Sequence, residues 1–148
     1  MKKNLLLCLC ALLPILLTAQ QTKIIISELL YDPPFPNEGQ NPHMHNGEFV
    51  SIYNYGNVEV DVSGWRLVSD PNQVFTFPVG SIMQPGARFY VAYRGLQSNN
   101  FVLSDLFNGF ELRANEWVFY MRIIVHANGG ESLRLVRSDN LVQDSMYY

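Results

Sequence analysis

From Lys23 onward the apolar residues come in short runs cut by turn residues, and no run keeps the 3.6-residue repeat of an amphipathic helix. Lys23 to Tyr31 is isoleucine-rich and predicts a first strand, which Asp32-Pro33-Pro34 ends because proline cannot donate to a ladder. Glu48 to Tyr55 predicts a second strand, closed by Gly56-Asn57. Val58, Val60 and Val62 alternate with Glu59 and Asp61, the period-two pattern of a strand with one wet face. Ser63-Gly64 turns the chain into Trp65 to Val68, where Trp65 and Leu67 share a face. Further strands are predicted over 74–77, 87–93, 110–112, 117–125, 132–136 and 141–148. Their separators are the turn signals Asp70-Pro71-Asn72, Gln84-Pro85-Gly86, Asn128-Gly129-Gly130 and Ser138-Asp139-Asn140. Within 95–109, Leu103, Leu106 and Phe107 allow one helical turn.

Eight to ten short strands without a sustained helix predict an all-β sandwich with Greek-key connections. Residues 32–47 stand apart as a long loop holding four of the eight prolines and two of the three histidines. Loops of that length in compact domains are commonly functional.

The first twenty residues change the picture. Lys2 and Lys3 precede an apolar run from Leu5 to Leu17, and Thr18-Ala19-Gln20 supplies small and polar residues after it. This is the layout of a secretory signal peptide over 1–20, cleaved after Ala19 or Gln20. The run is too short for a bilayer core, which needs about 20 apolar residues. Leu7 and Leu9 stand before Cys8 and Cys10 where a lipoprotein signal wants a small residue, so lipidation is not expected. The expected mature domain, residues 21–148, has no cysteine and carries eight basic and 13 acidic residues, a formal net charge of −5. Disulfides, Cys-ligated metals and thiol nucleophiles are thereby excluded from it. The expected location is secreted, periplasmic or at the cell surface, with no transmembrane segment after cleavage.

Candidate chemistry is sparse. His43-Met44-His45 is the sharpest local feature, since alternate histidines in an extended segment can both ligate zinc or copper. A third ligand would have to come from His126, Asp32, Glu38 or Glu48, and a polar loop is the simpler reading. Asp32 and Glu38 offer oxygen to calcium but without an Asp-x-Asp-x-Asp pattern. No Gly-x-Ser-x-Gly supports a hydrolase triad, and no Gly-x-Gly-x-x-Gly cradles a phosphate. Glu28, Glu48, Glu111, Glu116 and Glu131 are available to a two-carboxylate glycosidase, yet their spacing does not favour one. Lys23 is the sole lysine of the mature part, and its acidity opposes nucleic-acid binding, which rests on phosphate neutralisation. Arg113, Arg122, Arg134 and Arg137 would form a basic patch only if their strands were neighbours.

Several segments are similar to the lamin tail domain family. Ile24-Ile25-Ile26-Ser27-Glu28-Leu29 resembles its opening strand, and Gly47 to Asn54 resembles its "gEwvElyN" strand. Val60-Asp61-Val62-Ser63-Gly64-Trp65-Arg66-Leu67 resembles the "vdlsGWrL" hairpin, the most specific piece. Pro85-Gly86, Gly130 to Leu135 and Val142-Gln143-Asp144 follow in the family's order, so the resemblance covers about 22–146. It implies an immunoglobulin-like β-sandwich of the type found in secreted bacterial proteins, a binding or tethering module without catalytic residues. Two departures stand out: residues 112–127 are longer and more hydrophobic than usual, and Ser51 replaces a common acid.

The motif residues also have physical roles of their own. Gly64 permits a tight turn, and Trp65 would bury ~200 Å² as a core plug. Asp61 and Asp144 suit side-chain bonds to backbone at turns, and Glu48 and Glu131 suit bonds to edge amides. The sequence therefore predicts a secreted or cell-envelope, non-enzymatic module making protein or surface-glycan contact through the 32–47 loop. No catalytic residue and no cofactor are expected, and His43 and His45 are the sole metal candidates. The alternative is a non-catalytic targeting domain truncated from a larger secreted hydrolase or nuclease.

Overall fold

Isoleucine and valine crowd the strands that face the core, because β-branched side chains fit a pleated, half-buried surface. The computed structural model describes residues 23–30, 48–69, 73–93, 111–121 and 131–148. They form ten strands: β1 (Ile24–Leu30), β2 (Phe49–Asn54), β3 (Val60–Asp61), β4 (Arg66–Val68), β5 (Val74–Thr76), β6 (Ile82–Met83), β7 (Arg88–Tyr93), β8 (Trp117–Met121), β9 (Ser132–Val136) and β10 (Val142–Tyr147). One four-stranded sheet runs β1-β2-β7-β8, a second runs β10-β9-β4-β5, and β3 pairs with β6 in a short ribbon. The structure is an all-β, immunoglobulin-like sandwich, and no helix occurs among the described residues. Neighbours such as β2 and β7, or β4 and β9, are distant in sequence, so the chain passes repeatedly from sheet to sheet.

The core lies between the sheets. Ile24, Val50, Ile52, Phe89 and Val91 come from the first sheet and meet Leu67, Leu133 and Leu135 from the second. Trp65 and Phe77 fill the space between, as expected for Trp65. Gly64 has a φ of +74°, a left-handed conformation that a Cβ disfavours, and so lets the chain reverse just before that indole. Asp61 Oδ1 accepts the Ser63 N–H at 2.8 Å, closing the same turn.

Some expectations are corrected. Val58 lies outside any strand, so the valine alternation shrinks to the two residues of β3. Glu111 and Leu112 are not in a strand, and β6 was not foreseen. The pairing of β7 with β8 is parallel, whereas all the other pairs are antiparallel among the described residues. The 1–20 signal segment, the 32–47 loop, the Asp70-Pro71-Asn72 and Asn128-Gly129-Gly130 turns and the 95–109 helical turn lie outside the described residues.

Candidate binding site

The two ends of β6 and β8 border an open groove with a volume of about 400 Å³. One wall is the Pro78-Val79-Gly80-Ser81 turn. Ser81 N and Oγ both donate to the Pro78 carbonyl, at 3.3 and 2.7 Å, and Gly80 N donates to Ser63 Oγ at 3.0 Å. Gly80 sits at φ +87°, which makes this tight wall accessible to glycine. The other wall is Asn115 and Trp117. Asn115 takes φ +73°, a region asparagine tolerates better than most residues. Its turn is tied by Glu116 N donating to the Arg113 carbonyl at 3.1 Å and Arg113 N donating to Glu116 Oε2 at 3.0 Å.

Phe89 and Phe119 make the floor. Phe119 stacks at 5.5–5.7 Å against Phe75, Phe77 and Phe89, so the floor is continuous with the core. Trp117 begins β8 on the same side as Phe119 and Met121, but only those two pack into the core. The indole is left 59% exposed at the rim, facing Val79, which is 97% exposed. Gln84 lies at one end, its Nε2 donating to Glu59 Oε2 at 3.1 Å. No lining residue among those described is charged.

Away from the groove, the ionisable groups hold one another. On the outer face of the first sheet, Arg88 lies 3.4 Å from Glu28 Oε1, and its guanidinium stands 5.1 Å from the Tyr53 ring centre. Burial pushes the Tyr90 phenol up, and its hydrogen bond to Arg88 only partly offsets this. For Arg88, burial acts downward, but the Tyr90 bond and the Glu28 charge outweigh it and raise the guanidinium. Burial likewise raises the Tyr148 phenol; its bond to Ser69 acts downward, while the charges of Glu131 and Glu48 add to the rise. Asp61 is held below the usual carboxylate range by the Ser63 hydroxyl and backbone N–H.

The acids named from the sequence fall into more than one place, with Glu48 and Glu131 both near the Tyr148 phenol and Glu28 and Glu116 both near that of Tyr90. Ser51, buried in β2, bonds Ser27 Oγ at 2.8 Å and donates to Glu28 Oε2 at 3.4 Å. Glu28 lies opposite Ser51 in the β1–β2 register, so an acid reaches this spot from the neighbouring strand. Glu131 Oε2 accepts from the Ser69 and Tyr148 hydroxyls at 3.4 and 3.3 Å, rather than from edge amides. Glu48 is buried to 3% exposure, and Glu111 is exposed. Asp144 does bond backbone, but from within β10 rather than at a turn: its Oδ2 accepts Ile26 N at 2.8 Å. His43, His45, His126, Asp32 and Glu38 lie outside the described residues. No three metal-ligating side chains converge among the described residues. The described members of the conditional arginine patch do not sit on neighbouring strands. Arg134 is on β9 in the second sheet, Arg113 precedes β8 in the first, and Arg122 lies outside the described residues.

The groove itself was not legible as a site. Trp117 falls within the strand predicted over 117–125, and alternation places it with inward residues. The available signal was subtraction: the chain has two tryptophans, and only Trp65 is accounted for as a core plug.

The motif residues converge on architecture. Buried Asn54, from the "gEwvElyN" segment, donates from Nδ2 to the Val58 and Met83 carbonyls at 2.8 and 3.1 Å. Its Oδ1 accepts Gly56 N at 3.0 Å, and a Cβ on Gly56 would press that oxygen at 3.1 Å. The family model described as Lamin Tail Domain matches residues 18–148, which includes every segment that carried the resemblance. No curated protein matches the chain. With that match over most of its length and an immunoglobulin-like sandwich built on the family's signature residues, the chain belongs to the lamin tail domain family, whose members are non-catalytic domains.

Proposed function

We propose that the chain is an exported, non-enzymatic binding or tethering module of the cell envelope or exterior, with residues 1–20 as its signal peptide. Its contact surface is the groove between the Pro78–Ser81 turn and β8. The observation that carries this reading is the 59% exposed indole of Trp117 above an uncharged cavity of about 400 Å³. Exposed aromatic surface of this kind marks interaction sites, because leaving it wet is unfavourable. Export is supported by the basic start and the apolar run from Leu5 to Leu17.

Nucleic acid is a poor fit. Residues 21–148 carry −5, and of the five described arginines three hold a partner: Arg66 bonds Asn140, Arg88 pairs with Glu28 and Arg137 with Asp139. The test is co-sedimentation of the purified exported chain with a cell-envelope preparation. Wild type is expected to sediment, Trp117→Ala to stay in the supernatant, and a variant lacking 36–45 to sediment as wild type. Equal sedimentation of wild type and Trp117→Ala, or none by either, contradicts the reading. The mature protein should begin at Gln20 or Gln21 by N-terminal sequencing.

A further inference from the structure

We infer that the ligand of this groove is a neutral saccharide, an inference that rests on the groove being the contact surface. Three observations select that class. Among the described residues the lining has no charged side chain, so none of them compensates the desolvation of a phosphate, a carboxylate or an ammonium. The apolar surfaces open to solvent are the flat indole of Trp117, Pro78 and the side chains of Val79 and Ile82, with Phe119 half-buried, while Phe89 beneath is only 1% exposed. A protein partner anchors by sinking a side chain into an enclosed apolar pocket, and this groove offers a plate rather than a hole. The slightly positive C–H face of a pyranose ring fits such a plate, because an aromatic face is electron-rich.

The third observation is the polar complement. Asn115 stands on the Trp117 wall and Gln84 at the end, while the buried Ser81 hydroxyl is spent on the Pro78 carbonyl. Amides supply donor and acceptor together, which is what adjacent sugar hydroxyls require. The Gln84 amide is oriented by donating Nε2 to Glu59 at 3.1 Å, so its Oε1 is the atom left to accept from a hydroxyl. Asn115 is held at φ +73° by the turn whose ends Arg113 and Glu116 tie, so its backbone needs no reordering on binding.

The test is affinity electrophoresis of the exported chain in native gels. Each gel contains one neutral polysaccharide (dextran, mannan, xylan or mixed-linkage β-glucan) or the acidic polygalacturonate. Retardation by at least one neutral polymer is expected, weakened by roughly tenfold in Trp117→Ala, as for an aromatic hot spot. Asn115→Gly, which removes the amide but tolerates the positive φ, should weaken it by about threefold, the worth of one modest hydrogen bond. Retained thermal stability of both variants shows that the loss is local. No retardation by any neutral polymer, retardation by polygalacturonate alone, or unchanged retardation of Trp117→Ala overturns the assignment. Treating the envelope preparation separates the two levels. Loss of sedimentation after periodate supports a saccharide. Loss after protease alone overturns the saccharide while leaving the binding module standing, and absence of binding to the untreated envelope overturns both.

Discussion

The two open sides of the sandwich are closed by different physics. On one side the edge strands β1 and β10 face each other, and polar side chains of β10 bond the backbone of β1. Asp144 Oδ2 accepts Ile26 N at 2.8 Å, and Gln143 Nε2 donates to the Ile24 carbonyl at 3.2 Å. Both strands shift register there, between Ile26 and Glu28 and between Val142 and Asp144. As an edge strand β1 also leaves outward backbone groups without a ladder partner, and the side chains of the opposite sheet take them. On the other side, β5 and β8 are joined by rings: Phe75, Phe77 and Phe119 meet edge-on or tilted at 5.0–5.7 Å. Directional hydrogen bonds draw the first side shut. Ring packing has no such fixed reach, and the aromatic side opens into the groove under Trp117. One side is built for stability, and the other combines stability with a surface.

Breaking the aromatic side should have the largest effect. Phe77 is almost fully buried and touches three other rings, so Phe77→Ala should cost about 3–5 kcal/mol by urea unfolding. A loss below ~1 kcal/mol would show that the rings do not close this side. On the polar side, Asp144→Ala strands the Ile26 amide and should cost about 1–3 kcal/mol, with Asp144→Asn milder because it keeps an acceptor.

The effect of pH is smaller and works at alkaline values. Tyr90 and Tyr148 have phenols raised by burial, so their protonated forms are favoured in the fold. That stability is complete below the unfolded value of about 10 and is lost as pH rises through the higher folded values. Tyr148→Phe should flatten part of this alkaline loss in thermal melts at a series of pH values. Binding in the groove, whose described lining residues include no titratable acid or base, should stay level across neutral pH. Trp117→Ala should have the smallest effect on stability, within ~0.5 kcal/mol, because the indole is mostly in water.

How far these features were legible depends on how local their causes are. The alternation in β9 and the isoleucines of β1 are written within a few residues, and those strands appear where the pattern put them. The Asp61–Ser63 bond and the positive φ of Gly64 are equally local. β6 is two residues long, too short for any period to show. Asp144 was expected to serve a nearby turn, but its partner Ile26 lies 118 positions away and is found only after folding. Trp117 escaped for a related reason. Period-two alternation assigns it to the inner side, yet burial depends on what the other sheet covers, which no single strand records. The resemblance to lamin tail domains pointed to the architecture, and the groove is a property of how its edges meet.

The claim that one side stabilises while the other binds is tested most directly by a single pair of variants. Melting temperature and envelope co-sedimentation should be measured together for Asp144→Ala and Trp117→Ala, at a temperature where both are folded. The expected result is a melting temperature lowered by roughly 3–15 °C, the shift that about 1–3 kcal/mol gives in a domain of this size, with binding intact for Asp144→Ala. For Trp117→Ala the expected result is an unchanged melting temperature with binding lost. Intact binding by Trp117→Ala, or binding lost equally in both variants, would contradict the account.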